Sequence, residues 1–191
     1  MYRFKSSNYI SVTALLIALI FVVGYLSHFI SISSQEGIFQ ISDALLLSLA
    51  CLIEGPMMLV VGPISGLLID VSSDAVQYLP ATIIIHFLMP LLIIMLKKII
   101  NWPYLLIFFS SFLTLVYSLY DLILFPILGF SEAEIKPLII SDLIINSIQM
   151  VITFALGAFL YWQLNLINNR SGHRIWNDTK YDYLKIKSKI N

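Results

Sequence analysis

The chain is short of charge and of cysteine, and both shortages narrow what it can be. Only 12% of its 191 residues are charged, against 59% hydrophobic. A soluble domain of this size could not hide so much apolar surface, and a mean hydropathy of +0.91 marks the bilayer as the solvent. The single cysteine, Cys51, stands in an apolar run. That excludes an intramolecular disulfide and a cysteine zinc cluster, and it reads as a small core residue. No H-E-x-x-H, G-x-S-x-G, Gly-x-Gly-Asp or Walker motif occurs, so common hydrolase and nucleotide chemistries are not written here. Linkers, repeats and low-complexity tracts are missing too. The expectation is one membrane domain with no catalytic residue, resident cofactor, metal or nucleic-acid partner.

What the chain does have is six apolar stretches, at roughly 9–30, 38–53, 56–72, 80–97, 103–126 and 138–163. The predicted fold is all-α: a polytopic bundle of six transmembrane helices over residues 1–165, followed by a basic cytoplasmic or interfacial tail, 166–191. The first run follows Arg3 and Lys5 as a signal peptide would. It lacks a small-residue cleavage site before Ser27-His28-Phe29-Ile30 and is followed by more spans, so a retained first span is expected. The second and third runs are short for a bilayer core of about 30 Å. The turn Glu54-Gly55-Pro56 joins them into a helical hairpin. Pro63 and Pro90 fall inside apolar runs, where bundle neighbours can satisfy freed carbonyls.

Lys and Arg set the predicted orientation. Arg3 and Lys5 precede the first span, Lys97 and Lys98 close the fourth, and Arg170, Arg174, Lys180, Lys185, Lys187 and Lys189 follow the sixth. With six spans these share one side, and only Lys136 falls on the other. Both termini are therefore expected in the cytoplasm of a prokaryotic cell, with the chain in its plasma membrane. Trp102, Trp162 and Trp176 map to the same interface, where indole rings prefer to sit. The tail mixes Trp176, Tyr181, Tyr183, Leu184 and Ile186 with basic residues, as a segment attracted to anionic lipid does.

Ionisable groups inside a membrane are expensive, so their depth carries information. Asp43 enters the second span from outside by a turn or so, and Asp70 ends the third, ahead of Ser72, Ser73 and Asp74. His86 lies about two turns into the fourth. Tyr117, Tyr120 and Asp121 occupy the outer half of the fifth, and Asp142, Asn146 and Gln149 step down one face of the sixth. The inner halves carry almost no ionisable groups. A proton wire or ion channel needs polar groups through the full thickness; this pattern fits a cavity open outside and closed below. Aromatic and carboxamide groups together suit a flat, hydrogen-bonding organic ligand.

Each residue also has a plainer explanation. Asp43, Asp70 and Asp142 fit helix ends, Tyr120 an aromatic belt, His86 a satisfied core histidine, and Asn146 and Gln149 interhelical glue. Agreement in depth across separate spans favours a site. Ala14-x-x-x-Ala18 in the first span and Gly62-x-x-x-Gly66 in the third allow close helix approach. Ordinary internal packing explains either motif taken alone. Ala14 and Ala18, near a cytoplasmic helix end, could instead form a flat docking face for another membrane protein.

The chain resembles a substrate-binding S component of an energy-coupling-factor (ECF) vitamin transporter. The resemblance covers roughly residues 9–163. It rests on size, cytoplasmic termini, Ala14-x-x-x-Ala18, and the ordered runs Q-I-S-D-A-L-L-L-S-L-A-C-L-I-E-G-P, V-G-P-I-S-G-L-L-I-D and Y-L-P-A-T-I-I-I-H between Gln40 and His86. It is similar to the hydroxymethylpyrimidine and pyridoxine branch, in which a Lys often stands where this chain has His86. The resemblance implies capture of a vitamin or precursor at high affinity, outer loops closing over the pocket. It also implies docking through Ala14 and Ala18 onto a transmembrane coupling (T) component driven by two ABC ATPases, the S component toppling to release substrate inward. The candidate ligand contacts are His86, Tyr117, Tyr120, Asp121, Asn146, Gln149, Asp43, Asp70 and Tyr78. Two other readings compete: a membrane-embedded enzyme using Asp70, Asp74, His86 or Asp121, and a ligand-free assembly subunit whose outer polar groups bond one another.

Overall fold

The computed structural model describes residues 7–28, 40–53 and 56–170. Six α-helices lie among them: α1 (Ser7–His28), α2 (Ser42–Leu52), α3 (Met58–Ser72), α4 (Leu79–Leu96), α5 (Trp102–Ile127) and α6 (Glu132–Arg170), with a 3-10 turn at Val76–Tyr78 before α4. No strand occurs among the described residues. Four helical segments are long and apolar enough to cross a membrane, Tyr9–Ser27, Val76–Leu96, Trp102–Ile127 and Glu132–Asn168; α2 and α3 are shorter apolar helices of 11 and 15 residues. The expectations for Arg3, Lys5, the span edges at 29–30 and 38–39, Glu54-Gly55 and the tail from 171 onward fall outside the described residues.

Local chemistry explains where the helices begin and end. Pro80 and Pro103 stand in the first turns of α4 and α5, where a missing N–H costs nothing. The α6 helix opens on a capping box: the Ser131 backbone N–H and hydroxyl both donate to Glu134 Oε2, at 2.8 and 2.6 Å. From there it runs 39 residues, about 58 Å at 1.5 Å per residue. That exceeds the expected 138–163 at both ends and crosses the expected boundary at residue 165. Hydropathy marks the hydrocarbon core, not the end of a helix, and α6 continues through Gln163, Asn165 and Asn168. At α2 the departure is the other way. Gln40 and Ile41 precede the helix, and the Ile41 N–H is held by Ser27 Oγ at 3.3 Å, tying the entering chain to α1.

The α2 helix is the centre of the bundle. It packs against each of the other five helices and is buried from Ser42 to Ala50, as a helix apolar all round must be. Its far end is capped from α4, where Lys97 Nζ donates to the Ile53 carbonyl at 2.7 Å, a cation at a helix C-terminus. The outer helices bury one stripe each. In α4, Thr82, Ile85, His86, Met89 and Ile93 face inward, while Ile83, Ile84, Phe87, Leu88 and Met95 are exposed. An exposed apolar face of this kind suits acyl chains as neighbours.

Candidate ligand-binding site

The α3–α4 contact is a glycine seam built around His86. A Cβ added to Gly66 would come within 2.5 Å of His86 Nδ1 and 2.6 Å of Thr82 Cγ2, and one added to Gly62 within 2.5 Å of the His86 carbonyl oxygen. Only glycine leaves that room. Pro90 contributes as well: it lacks the N–H that would bond the His86 carbonyl one turn back, and this carbonyl is the one facing Gly62. The Gly62-x-x-x-Gly66 motif is therefore occupied inside the chain, by α4.

His86, 1% exposed, bridges the seam to the central helix. Its Nδ1 lies 3.3 Å from the Gly62 carbonyl and its Nε2 3.5 Å from Asp43 Oδ1. The second distance is longer than a typical N–H···O bond, so it is an electrostatic contact and leaves Oδ1 without a hydrogen-bond partner. The other Asp43 oxygen, Oδ2, accepts from Gln149 Nε2 at 3.3 Å. A chain of polar contacts thus crosses α3, α4, α2 and α6. Asp70 stands beside it, buried, with Thr82 and Gln40 as hydrogen-bonding neighbours and His86 and Asp43 in electrostatic range. Asp43 is in the first turn of α2, yet it lies level with a residue two turns inside α4, about 10 Å from that helix's start.

Beyond Asp43 the helices separate. A recess between α2, α5 and α6 is lined by Asp43, by Ser110, Leu113, Thr114 and Tyr117 of α5, and by Asn146, Gln149, Met150 and Thr153 of α6. Its free space is enough for about one water molecule, far below the roughly 300–1,000 Å³ of small-molecule pockets. Its walls are knitted together: Thr114 Oγ1 donates to the Asn146 carbonyl at 3.0 Å, Asn146 Nδ2 to Ser118 Oγ at 3.2 Å, and the Tyr117 hydroxyl to Thr82 Oγ1 at 3.3 Å. Acceptor, donor, hydroxyl and ring are all present in one concavity.

Four of the nine candidate contacts, Asp43, Tyr117, Asn146 and Gln149, line this recess. His86 and Asp70 stand behind Asp43. Tyr78 and Tyr120 form a separate pair, rings 6.0 Å apart, with the Tyr120 hydroxyl donating to the Gln77 carbonyl at 2.8 Å. Asp121 is buried and in electrostatic range of Tyr117 and Tyr120. Ala14 and Ala18 are exposed on α1, which packs on α2 and α3. Sequence reasoning missed Ser110, Leu113, Thr114, Met150 and Thr153. Ser110, Thr114 and Tyr117 share a helical face by spacing, as do Asn146, Met150 and Thr153, so the signal was there.

Among the described residues no group of three or more His, Cys, Asp and Glu is placed to hold a metal. No curated protein and no solved structure matches the chain. A family model, ECF-type riboflavin transporter, S component, matches residues 4–166. The match spans all six helices apart from the last residues of α6. The chain is a multi-pass membrane protein and belongs to the family of ECF-type riboflavin transporter S components.

Proposed function

We propose that the chain captures a flat heteroaromatic vitamin from outside the cell in the recess between α2, α5 and α6, and hands it to an ECF module. The observation that carries this reading is the convergence of Asp43, Tyr117, Asn146 and Gln149 from three helices on one concavity, in a chain of this family. Tyr117 offers a ring face, the carboxamides and Asp43 the polar contacts. The matching family supports a flavin as ligand; hydroxymethylpyrimidine and pyridoxine, smaller rings with similar polar edges, are the alternatives. With so little free space in the recess, the ligand must push the α5 and α6 side chains apart or move the outer segments, which would then close over it.

The Lys and Arg distribution supports six spans with both termini in the cytoplasm, the short α2 and α3 crossing as a helical hairpin. The exposed Ala14 and Ala18 face is the proposed dock for the transmembrane coupling component, whose two ATPases supply the energy. Thiol labelling of intact cells tests the orientation, in a chain whose Cys51 is replaced by serine. Asp74→Cys or Glu134→Cys should react with an impermeant reagent, and Ile100→Cys or Lys180→Cys should not; the reverse pattern overturns it.

Mass spectrometry of small molecules released from the purified chain tests the ligand class. A flavin, hydroxymethylpyrimidine or pyridoxine is expected, and the same compound should raise the melting temperature by mass action. A second reading has its own support, since the Gln149–Asp43, Asn146–Ser118 and Tyr117–Thr82 bonds are what a ligand-free assembly subunit would show. No released heteroaromatic, and no thermal shift with any of the three compounds, would favour that subunit instead.

A further inference from the structure

We propose that His86 and Asp43 hold one proton between them in the seam, and that this proton latches α4 to the central helix, so that its loss at alkaline pH loosens the bundle. The inference does not depend on what the recess binds. His86 Nδ1 lies 3.3 Å from the Gly62 carbonyl. A carbonyl only accepts, so Nδ1 carries the hydrogen of the ring, and in a neutral imidazole the other nitrogen is then a bare lone pair. That nitrogen, Nε2, is 3.5 Å from Asp43 Oδ1, which is also an acceptor when the carboxylate is ionised. Neither atom has a hydrogen-bond partner, and both side chains are buried. Two acceptors facing each other this deep are unfavourable. One further proton satisfies both, whether it sits on Nε2 as an imidazolium or on Oδ1 as a carboxylic acid.

The surrounding helices favour keeping it. No Lys or Arg occurs in α2, α3, α4 or α5, whereas Asp43 of α2, Asp70 of α3 and Asp121 of α5 are buried acids. Asp70 is in electrostatic range of His86 and Asp43, and Tyr117 of α5 is in range of all three acids. The 3-10 turn before α4 offers only Tyr78, paired with Tyr120 at the rim. Lys97, just past α4, is committed to the Ile53 carbonyl at the opposite end. From α6, the group that meets Asp43 is the uncharged Gln149. His86 is thus the one group on these four helices that can answer the acids with positive charge.

A free histidine gives up its proton at about pH 6.5, and the folded pair keeps one beyond that point. On the alkaline side the folded chain therefore holds more protons than the unfolded one, and stability falls as pH rises. Thermal melts of the purified full chain, without ligand, between about pH 6.5 and 9.5 test this. Wild type should lose about 3 °C or more per pH unit over part of that range. Asp43→Asn places a permanent amide N–H against Nε2, and His86→Gln places one against Oδ1, so both variants should melt at a temperature nearly independent of pH. A flat wild type overturns the proposal, and so does an equal fall in all three, which assigns the titration to other groups. Where neither variant folds, ring nitrogen NMR decides, in a chain whose His28 and His173 are replaced by glutamine so that His86 alone reports. A ring nitrogen that is neither protonated nor hydrogen-bonded at neutral pH overturns the shared proton. Appearance of that signal only at alkaline pH, in step with the fall in melting temperature, is the expected result.

Discussion

The two polar regions of this bundle use similar side chains for opposite ends. At the α3–α4 seam the backbones approach so closely that only glycine fits, and His86 fills the gap, its carbonyl facing Gly62 and its Nδ1 on the Gly62 carbonyl. Between α2, α5 and α6 the polar groups line a narrow recess and bond one another across its walls. Asp43 belongs to both, one oxygen toward the seam and one toward Gln149. Burial of a polar group is therefore not by itself a sign of a binding site. What separates the two regions is whether the helices close over the group or leave it a surface.

The sharpest way to break the contrast is to overfill the seam. Gly66→Leu places a branched side chain where even a Cβ meets His86 Nδ1 at 2.5 Å. Overpacking of a fitted core costs about 1–3 kcal/mol, and a displaced His86 would also leave Asp43 without its neighbour. The variant should lose most of its folded yield and, where it can be purified, melt well below wild type. An unchanged melting temperature would mean the seam is loose, and the distinction between the two regions would collapse.

A face outside both regions supplies the next largest effect. Ala14→Trp or Ala18→Trp puts an indole on an exposed stripe of α1 that touches neither His86 nor the recess. Close helix approach at that stripe should be blocked. Co-purification with the coupling component and its ATPases should be abolished, while ligand affinity and melting temperature stay as in wild type. Equal recovery of partner subunits with wild type and variant would move the dock elsewhere.

Sharpening the comparison itself takes a matched pair. His86→Ala removes a seam residue that does not line the recess; Asn146→Ala removes one that does. Each should weaken binding by about tenfold, since 1.4 kcal/mol is a factor of ten. The difference lies in stability. Losing His86 strands a buried carboxylate and opens a cavity, so the melting temperature should fall clearly. Losing Asn146, half-buried, removes one hydrogen bond to Ser118, about 1 kcal/mol. Unchanged affinity in both would mean the convergence in the recess is packing glue.

Much of this could be read in the sequence, and what could not has physical causes. Apolar runs showed where the helices lie, because partition into hydrocarbon is a property of composition. Helix ends were less visible: α6 starts on the Ser131–Glu134 capping box and outlasts its apolar stretch, and α2 starts late because Ser27 holds Ile41. Tyr117, Asn146 and Gln149 could be placed by face and depth. The hydroxyl lining was not, since Ser110 and Thr114 bond carbonyls of their own helix and look like ordinary membrane-helix residues. The partners of Gly62 and Gly66 were also hidden. The small-residue spacing announced a close approach, but that the approaching group was His86, some twenty residues on in the chain, is tertiary information.

The smallest effect should come from the aromatic rim, and it fixes where the recess ends. Tyr120 was expected among the stacking faces, yet its ring pairs with Tyr78 and its hydroxyl bonds the Gln77 carbonyl in an exposed setting. A water molecule can replace that bond, so Tyr120→Phe should give up no more than the low end of a hydrogen bond's net worth, about 0.5 kcal/mol. That corresponds to a change in affinity of about two- to threefold, with the ring still available to pair with Tyr78. Tyr117→Phe lies on the other side of the boundary: it lines the recess and bonds Thr82, next to Asp70 and the seam. Its loss should exceed that of Tyr120→Phe severalfold in the same titration. If the order is reversed, the ligand sits higher than the recess, between the rim tyrosines and Asp121, and the polar groups around Asp43 support the site from below without touching it.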